Sequence, residues 1–170
     1  MSQYQAGPRL VHLEVLYNVF AYLNNHKYMG NLDYDSKTPE LDESAFNDNA
    51  GWKYFYGDVE VELPPKMAEP RGNVVSIIAF VDANHAGNFV TRQSHSGIIL
   101  FVHNAPIVWF SKRQNTVEAA TFGSDFVALR ICKEFIVALC YKLHMFGVPL
   151  DGPADVFCDN RGLVMNANKP

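Results

Sequence analysis

Three aspartates occupy positions where a carboxylate has to be explained. Asp82 follows an apolar run, Asp125 lies about one turn into a long amphipathic segment, and Asp159 follows a short apolar segment. A charge at the end of a buried strand is costly unless something compensates it, so each needs a metal ion or a basic partner if it is buried. Each also has a plainer reading: Asp82 and Asp159 as turn or cap residues, and Asp125 as a helix-start charge favoured by the positive end of the helix dipole. Only their joint placement favours a site.

That placement depends on the elements between them. Val74–Asp82 is β-rich and apolar at consecutive positions, the pattern of a central strand covered on both faces. Ser96–Val102 and Ile107–Ser111 read as two further strands, joined through His103-Asn104-Ala105-Pro106 as a hairpin. A long helix is expected from Thr121, as N-cap, to Gly147, with Pro149 beyond it as a breaker. Its buried stripe would be Phe122, Phe126, Leu129, Cys132, Ile136, Leu139 and Leu143, with Arg130, Lys133, Glu134 and Lys142 on the wetter side. The side chain of Asp125 would share the direction of Ala128, Leu129 and Cys132, towards the sheet. Ala154–Cys158 completes the order β-β-β-α-β, and a second helix starts after Asp159-Asn160.

A strand, a crossover helix and another strand of the same sheet form a right-handed parallel connection in nearly all cases. The ends of Val74–Asp82 and Ala154–Cys158 then point the same way, to the sheet edge where ligands of open α/β sheets bind. The fold expected is α/β with a mixed sheet, preceded by an amphipathic helix over 12–25 carrying Leu13, Leu16, Tyr17, Phe20 and Leu23. Residues 33–72 are acidic, punctuated by Pro39, Pro64, Pro65 and Pro70, and read as a linker or insertion with one short strand at Trp52–Tyr56.

The composition of the 170 residues, 48% apolar and 19% charged, is that of a folded globular chain rather than a disordered one. No apolar run is long enough to span a bilayer, so no membrane partner is expected. Cys132, Cys140 and Cys158 have neither metal-site nor disulfide-framework spacing, which points to a reducing intracellular compartment. The net charge of −4 is uneven: residues 1–72 hold six Lys/Arg against eleven Asp/Glu, and residues 73–170 eight against seven. A net +1 over 73–170 is a weak footprint for a nucleic-acid binder, so tight autonomous binding is not expected. His85, His95, His103 and His144 have no metal-ligand spacing, although His85 is near Asp82. Trp109 and Phe110 allow base stacking but read first as core.

Several motifs in one order sharpen the reading. Val81-Asp82-Ala83-Asn84-His85-Ala86-Gly87, followed by Arg92, Ser94, Ser96 and Gly97, resembles the D-A-D-W-A-G then R-x-S-x-S-G pattern of the RNase H domains of copia-type retrotransposon polyproteins. Pro106–Gln114, Phe126–Leu129 and Phe157–Asn160 are similar to the P-I-x-W-x-S-K-x-Q, E-Y-V-A-L and Y-C-D-N segments of that family. The resemblance covers residues 73–170. The helix with His12, Tyr22 and Leu23 resembles, more weakly, the segment joining reverse transcriptase to RNase H. Residues 1–32 would then be that connection, 33–72 the linker, and 73–170 an RNase H-like domain.

Carried over by position, the resemblance makes Asp82, Asp125 and Asp159 the catalytic, metal-binding acids. The implied cofactor is Mg2+, with Mn2+ as its substitute, hard cations that prefer oxygen ligands. The implied partners are an RNA–DNA hybrid and the reverse transcriptase part of the same polyprotein, in a cytoplasmic particle or the nucleus. Lys112, Arg113, Gln114 and Asn160 are the candidate nucleic-acid contacts, although a solvated strand end explains the first three as well.

The departures count too. Asp125 stands where the family has glutamate, which shortens its reach by ~1.5 Å, one carbon–carbon bond. Asn84, His85 and Gly123 replace an aspartate, a tryptophan and a glutamate. The family's final strand, last helix and fourth ligand have no counterpart here. A second reading follows: an RNase H-like remnant that folds and contacts nucleic acid or the polymerase but cleaves nothing. An aspartate-nucleophile phosphatase is disfavoured because Asp82-Ala83-Asn84 lacks the second acid that would protonate a leaving group.

Overall fold

The computed structural model describes residues 9–26, 57 and 65–169. The chain divides into two compact units, Met1–Ser36 and Lys37–Pro170. In the first, α1 spans Leu10–Asn25 and buries none of its residues, so the apolar positions Leu13, Tyr17, Phe20 and Leu23 are exposed. The strand expected at Trp52–Tyr56 and nearly all of the expected linker lie outside the described residues.

The second unit contains β1 (Ile77–Asn84), β2 (His95–Val102), β3 (Ala105–Arg113), α2 (Thr121–Met145), β4 (Asp155–Cys158) and α3 (Arg161–Ala167). The four strands form one mixed sheet in the order β3-β2-β1-β4. β2 runs antiparallel to both neighbours, and β4 runs parallel to β1, with Phe80 opposite Phe157 and Val81 opposite Cys158. This mixed α/β architecture is compatible with an RNase H-like fold.

The elements differ in detail from the sequence expectation. β1 starts and ends later than Val74–Asp82, so Asp82 lies within the paired strand, opposite Gly97, rather than at its end. The β2–β3 link is two residues, His103-Asn104, not four. Val102 pairs with Ala105, and His103 takes a left-handed φ of 51° to turn the chain. Thr121 is the first residue of α2 rather than its cap; the N-cap, Ala120, makes no side-chain capping bond.

The core lies between the sheet and α2. Ala79 and Val81 of β1, Ile98 and Leu100 of β2, and Ala128 and Cys132 of α2 are buried together, with Leu129, Ile131, Phe135, Ile136 and Leu139 packed around them. The expected stripe is out of phase at its start, because Phe122 and Phe126 are exposed while Ser124 and Asp125 are buried. Nor, among the described residues, does a helix cover the second face of β1. Alternation along the strand puts Ile78, Phe80 and Asp82 on the side away from α2. There Phe80 stacks on Phe157 at 5.2 Å, Ile99 is exposed, and Trp109, expected in the core, is 75% exposed. Phe110, on the helix side, packs edge-on against Phe135 at 5.1 Å.

α2 ends as its sequence indicates. Gly147 adopts φ 70°, and Val148 N–H reaches back to the Leu143 carbonyl at 2.9 Å. A Cβ on Gly147 would come within 2.9 Å of the Glu69 carbonyl oxygen, so the position excludes larger residues. Val75 N–H donates to Pro149 O and Asp151 N–H to Val75 O, which laces the entry of β1 to the loop leading into β4. Because Leu100 is fully buried, Leu100→Ala should cost about 2–5 kcal/mol in urea unfolding. Ile107→Thr, on the exposed face, should stay within about 0.5 kcal/mol.

Candidate active site at the strand ends

The parallel pairing of β1 with β4 brings two of the three acids together. One step beyond the pair Val81–Cys158, Asp82 and Asp159 line one groove with Phe80, Gly97, Ile99 and Phe157, on the sheet face away from α2. Both are exposed, so neither carries the burial cost inferred for a charge at a buried strand end. Gly97 lies between Ser111 and Asp82 in a cross-strand row and has no side chain to fill the space beside the carboxylate. Asp82 Oδ1 accepts the N–H of Ala83 at 2.7 Å, a local bond within the strand.

Asp125 approaches from the other side. It projects from the first turn of α2 towards the sheet, as its neighbours implied, and is only 5% exposed. Asn160 donates from Nδ2 to Asp125 Oδ2 at 2.7 Å, while Oδ1 is buried without a hydrogen-bond donor. The same Asn160 caps α3 by accepting Leu163 N–H on Oδ1 at 3.1 Å. The carboxylate that needs compensation is therefore Asp125, one of whose two oxygens accepts no hydrogen bond.

Cys158 lies at the end of β4, between Asp159 in the groove and the side that α2 covers. Burial pushes its thiol pKa up, the backbone N–H of Asn160 pulls it down, and the negative charges of Asp125, Asp159 and Asp82 push it up further. All three carboxylates thus bear on one sulfur atom. Burial alone holds the Cys132 thiol up at about 11.

The donor set suits a hard divalent cation, being three carboxylates with one buried oxygen lacking a donor. It is not a closed ligand cage: among the described residues no group of three or more His, Cys, Asp or Glu is placed to hold a metal. Asp82 and Asp159 are on exposed side chains that can turn, whereas Asp125 is held by Asn160.

The expected nucleic-acid contacts divide. Lys112 and Arg113 are exposed at the end of β3. Arg113 pairs across the sheet with His95, whose pKa is lowered by burial and by the Arg113 charge among its neighbours. Gln114 cannot meet a phosphate at the surface, because it is 4% exposed and donates from Nε2 to Ser96 Oγ at 2.9 Å and to the Ser124 carbonyl at 2.8 Å. The side chain of Asn160 is committed to Asp125 and to the α3 cap. Sequence reasoning gave no role to Ser124. Its hydroxyl donates to Thr121 O at 2.8 Å and lies 3.2 Å from His85 Nδ1. The only advance signal was polarity on a face that had to be buried.

Over 92 residues the chain is 29% identical to the retrovirus-related Pol polyproteins from transposons RE2 and RE1 of Arabidopsis thaliana. That similarity supports a retrotransposon polyprotein context. The match covers 54% of this chain and 6% of each of those proteins, so the chain spans a small part of their length. No family model and no solved structure matches. Among the described residues no helix is long and apolar enough to cross a membrane.

Convergence of the acids on Cys158 predicts a pH effect. Removing the negative charge with Asp159→Asn should lower the Cys158 thiol pKa, so site-resolved alkylation of Cys158 should reach half its limiting rate at a lower pH than in the wild type. Cys132 alkylation should not change. An unshifted Cys158 profile would place Asp159 too far away to act.

Proposed function

We propose that residues 73–170 are the RNase H-like module of a retrotransposon polyprotein, hydrolysing the RNA strand of RNA–DNA hybrids with magnesium, or manganese in its place. The observation supporting this is the parallel pairing of β4 with β1, which sets Asp82 and Asp159 in one groove, together with a buried Asp125 oxygen that lacks a donor. When bound, the metal would activate a water and stabilise the leaving oxygen of an RNA phosphodiester, leaving a 3'-hydroxyl and a 5'-phosphate.

The residues of the chain then have separable tasks. Asp82 and Asp159 supply carboxylates from the open groove, where a nucleic-acid strand has access. Asp125 supplies a carboxylate fixed by Asn160. Lys112 and Arg113, exposed at the end of β3, meet phosphates and add affinity that falls with salt. The hybrid is distinguished from DNA by the 2'-hydroxyl and by its helical shape. The reverse transcriptase part of the polyprotein is the second partner.

Two observations favour a second reading, a folded remnant that binds without cutting: the described residues form no ready metal cluster, and Asp125 is a methylene shorter than the family's glutamate. Incubation with a labelled RNA–DNA hybrid separates the two. The nuclease reading expects magnesium-dependent cleavage, a loss of roughly a hundredfold or more in Asp82→Asn, and a gain in Asp125→Glu. Hybrid binding without cleavage, in wild type and Asp125→Glu alike, would establish the remnant. Neither binding nor cleavage would contradict both.

A further inference from the structure

We propose that Gln114 is a positioning residue that fixes the first turn of α2, and with it the place of Asp125 beside Asn160. This rests on the reading of Asp125 as a site carboxylate, but its geometry is independent of any cleavage. Gln114 follows β3, and its backbone N–H donates to the Ser94 carbonyl at 2.8 Å, which anchors its main chain beside the start of β2. From there the side-chain amide spends both Nε2 protons on buried acceptors, the Ser96 hydroxyl on β2 and the Ser124 carbonyl on α2.

The orientation of that amide is set by its partners. The Ser124 carbonyl can only accept, so a reversed amide would set oxygen against oxygen. Ser124 is further held through its own side chain. Its hydroxyl donates to Thr121 O at 2.8 Å and lies within hydrogen-bond distance of His85 Nδ1, at 3.2 Å. His85 lies three residues beyond Asp82, and Asp125 follows Ser124 directly. The network therefore joins the β1–β2 loop, the sheet and the turn that bears the buried acid.

This first turn lacks the usual means of fixing a helix start. Its N-cap, Ala120, makes no side-chain capping bond. Gln114 and His85 act on that turn from outside the helix. A buried amide at this position reads as an internal brace, whereas the same residue at an exposed strand end would read as a phosphate contact.

The test compares Gln114→Met, which keeps the volume and removes the donors, with Ile107→Thr as a surface control on β3, using amide hydrogen exchange and the NMR signals of the Asn160 side-chain amide. In Gln114→Met, exchange at Asp125 and Phe126 should quicken by roughly tenfold or more and the Asn160 side-chain signals should shift, while Ile98 and Leu100 keep their protection. Two results would overturn the proposal: an unchanged first turn with unchanged Asn160 signals, or loss of protection throughout the sheet, since the residue would then support the whole fold rather than the turn. A magnesium titration of both proteins distinguishes this from the functional reading. A shifted Asn160 signal in a protein that binds no magnesium would uphold the brace and contradict the metal site.

Discussion

The hydrogen bond from Asn160 to Asp125 joins the start of α3, just beyond the edge strand β4, to the first turn of the long helix, and it does so around a carboxylate that solvent hardly reaches. A half-paired buried charge is tolerated only where the surrounding structure holds it in place. The parallel pairing of β4 with β1 brings Asn160 there, the lacing of Val75 to the loop after α2 fixes that crossover, and the Gln114 network fixes the turn carrying Asp125. The lacing of Val75 acts at the entry of β1, while the Asn160 and Gln114 bonds act at the other end of the sheet, where α2 begins.

Two of the acids are at the edge of an open sheet face, and the third comes from the covered one. The open face carries Phe80, Ile99, Phe157 and the exposed Trp109, with Asp82 and Asp159 at one end. Cys158 lies between the two sides, its thiol pushed up first by burial and further by the negative charges of Asp125, Asp159 and Asp82.

Much of the order of elements was legible in the sequence. Consecutive β-branched and aromatic residues marked β1, Gly147 and Pro149 marked the end of α2, and the crossover rule placed Asp82 near Asp159. The faces were harder to read. An apolar run without alternation does not say which side a helix covers, so Asp82 was taken as a buried strand end when it is an exposed position within β1. The stripe of α2 was misplaced at its start because Phe122 and Phe126 outweighed Ser124 on any hydropathy count; Asp125 was expected to face the sheet and does, and the buried pair is stabilised by Asn160 and Gln114, partners that only the tertiary structure supplies. Gln114 was misjudged for the same reason: a polar residue after a strand looks solvated until its acceptors are known.

The central claim is that the three acids form one divalent-cation site at the end of the sheet. Titration with paramagnetic Mn2+, followed by NMR of the backbone amides, tests it most directly. The account predicts that broadening begins at Asp82, Asp125, Asp159 and Asn160 together, with Tyr141 and Met145 at the far end of α2 unaffected. Broadening that starts elsewhere, or that reaches the groove residues and spares Asp125, would contradict it.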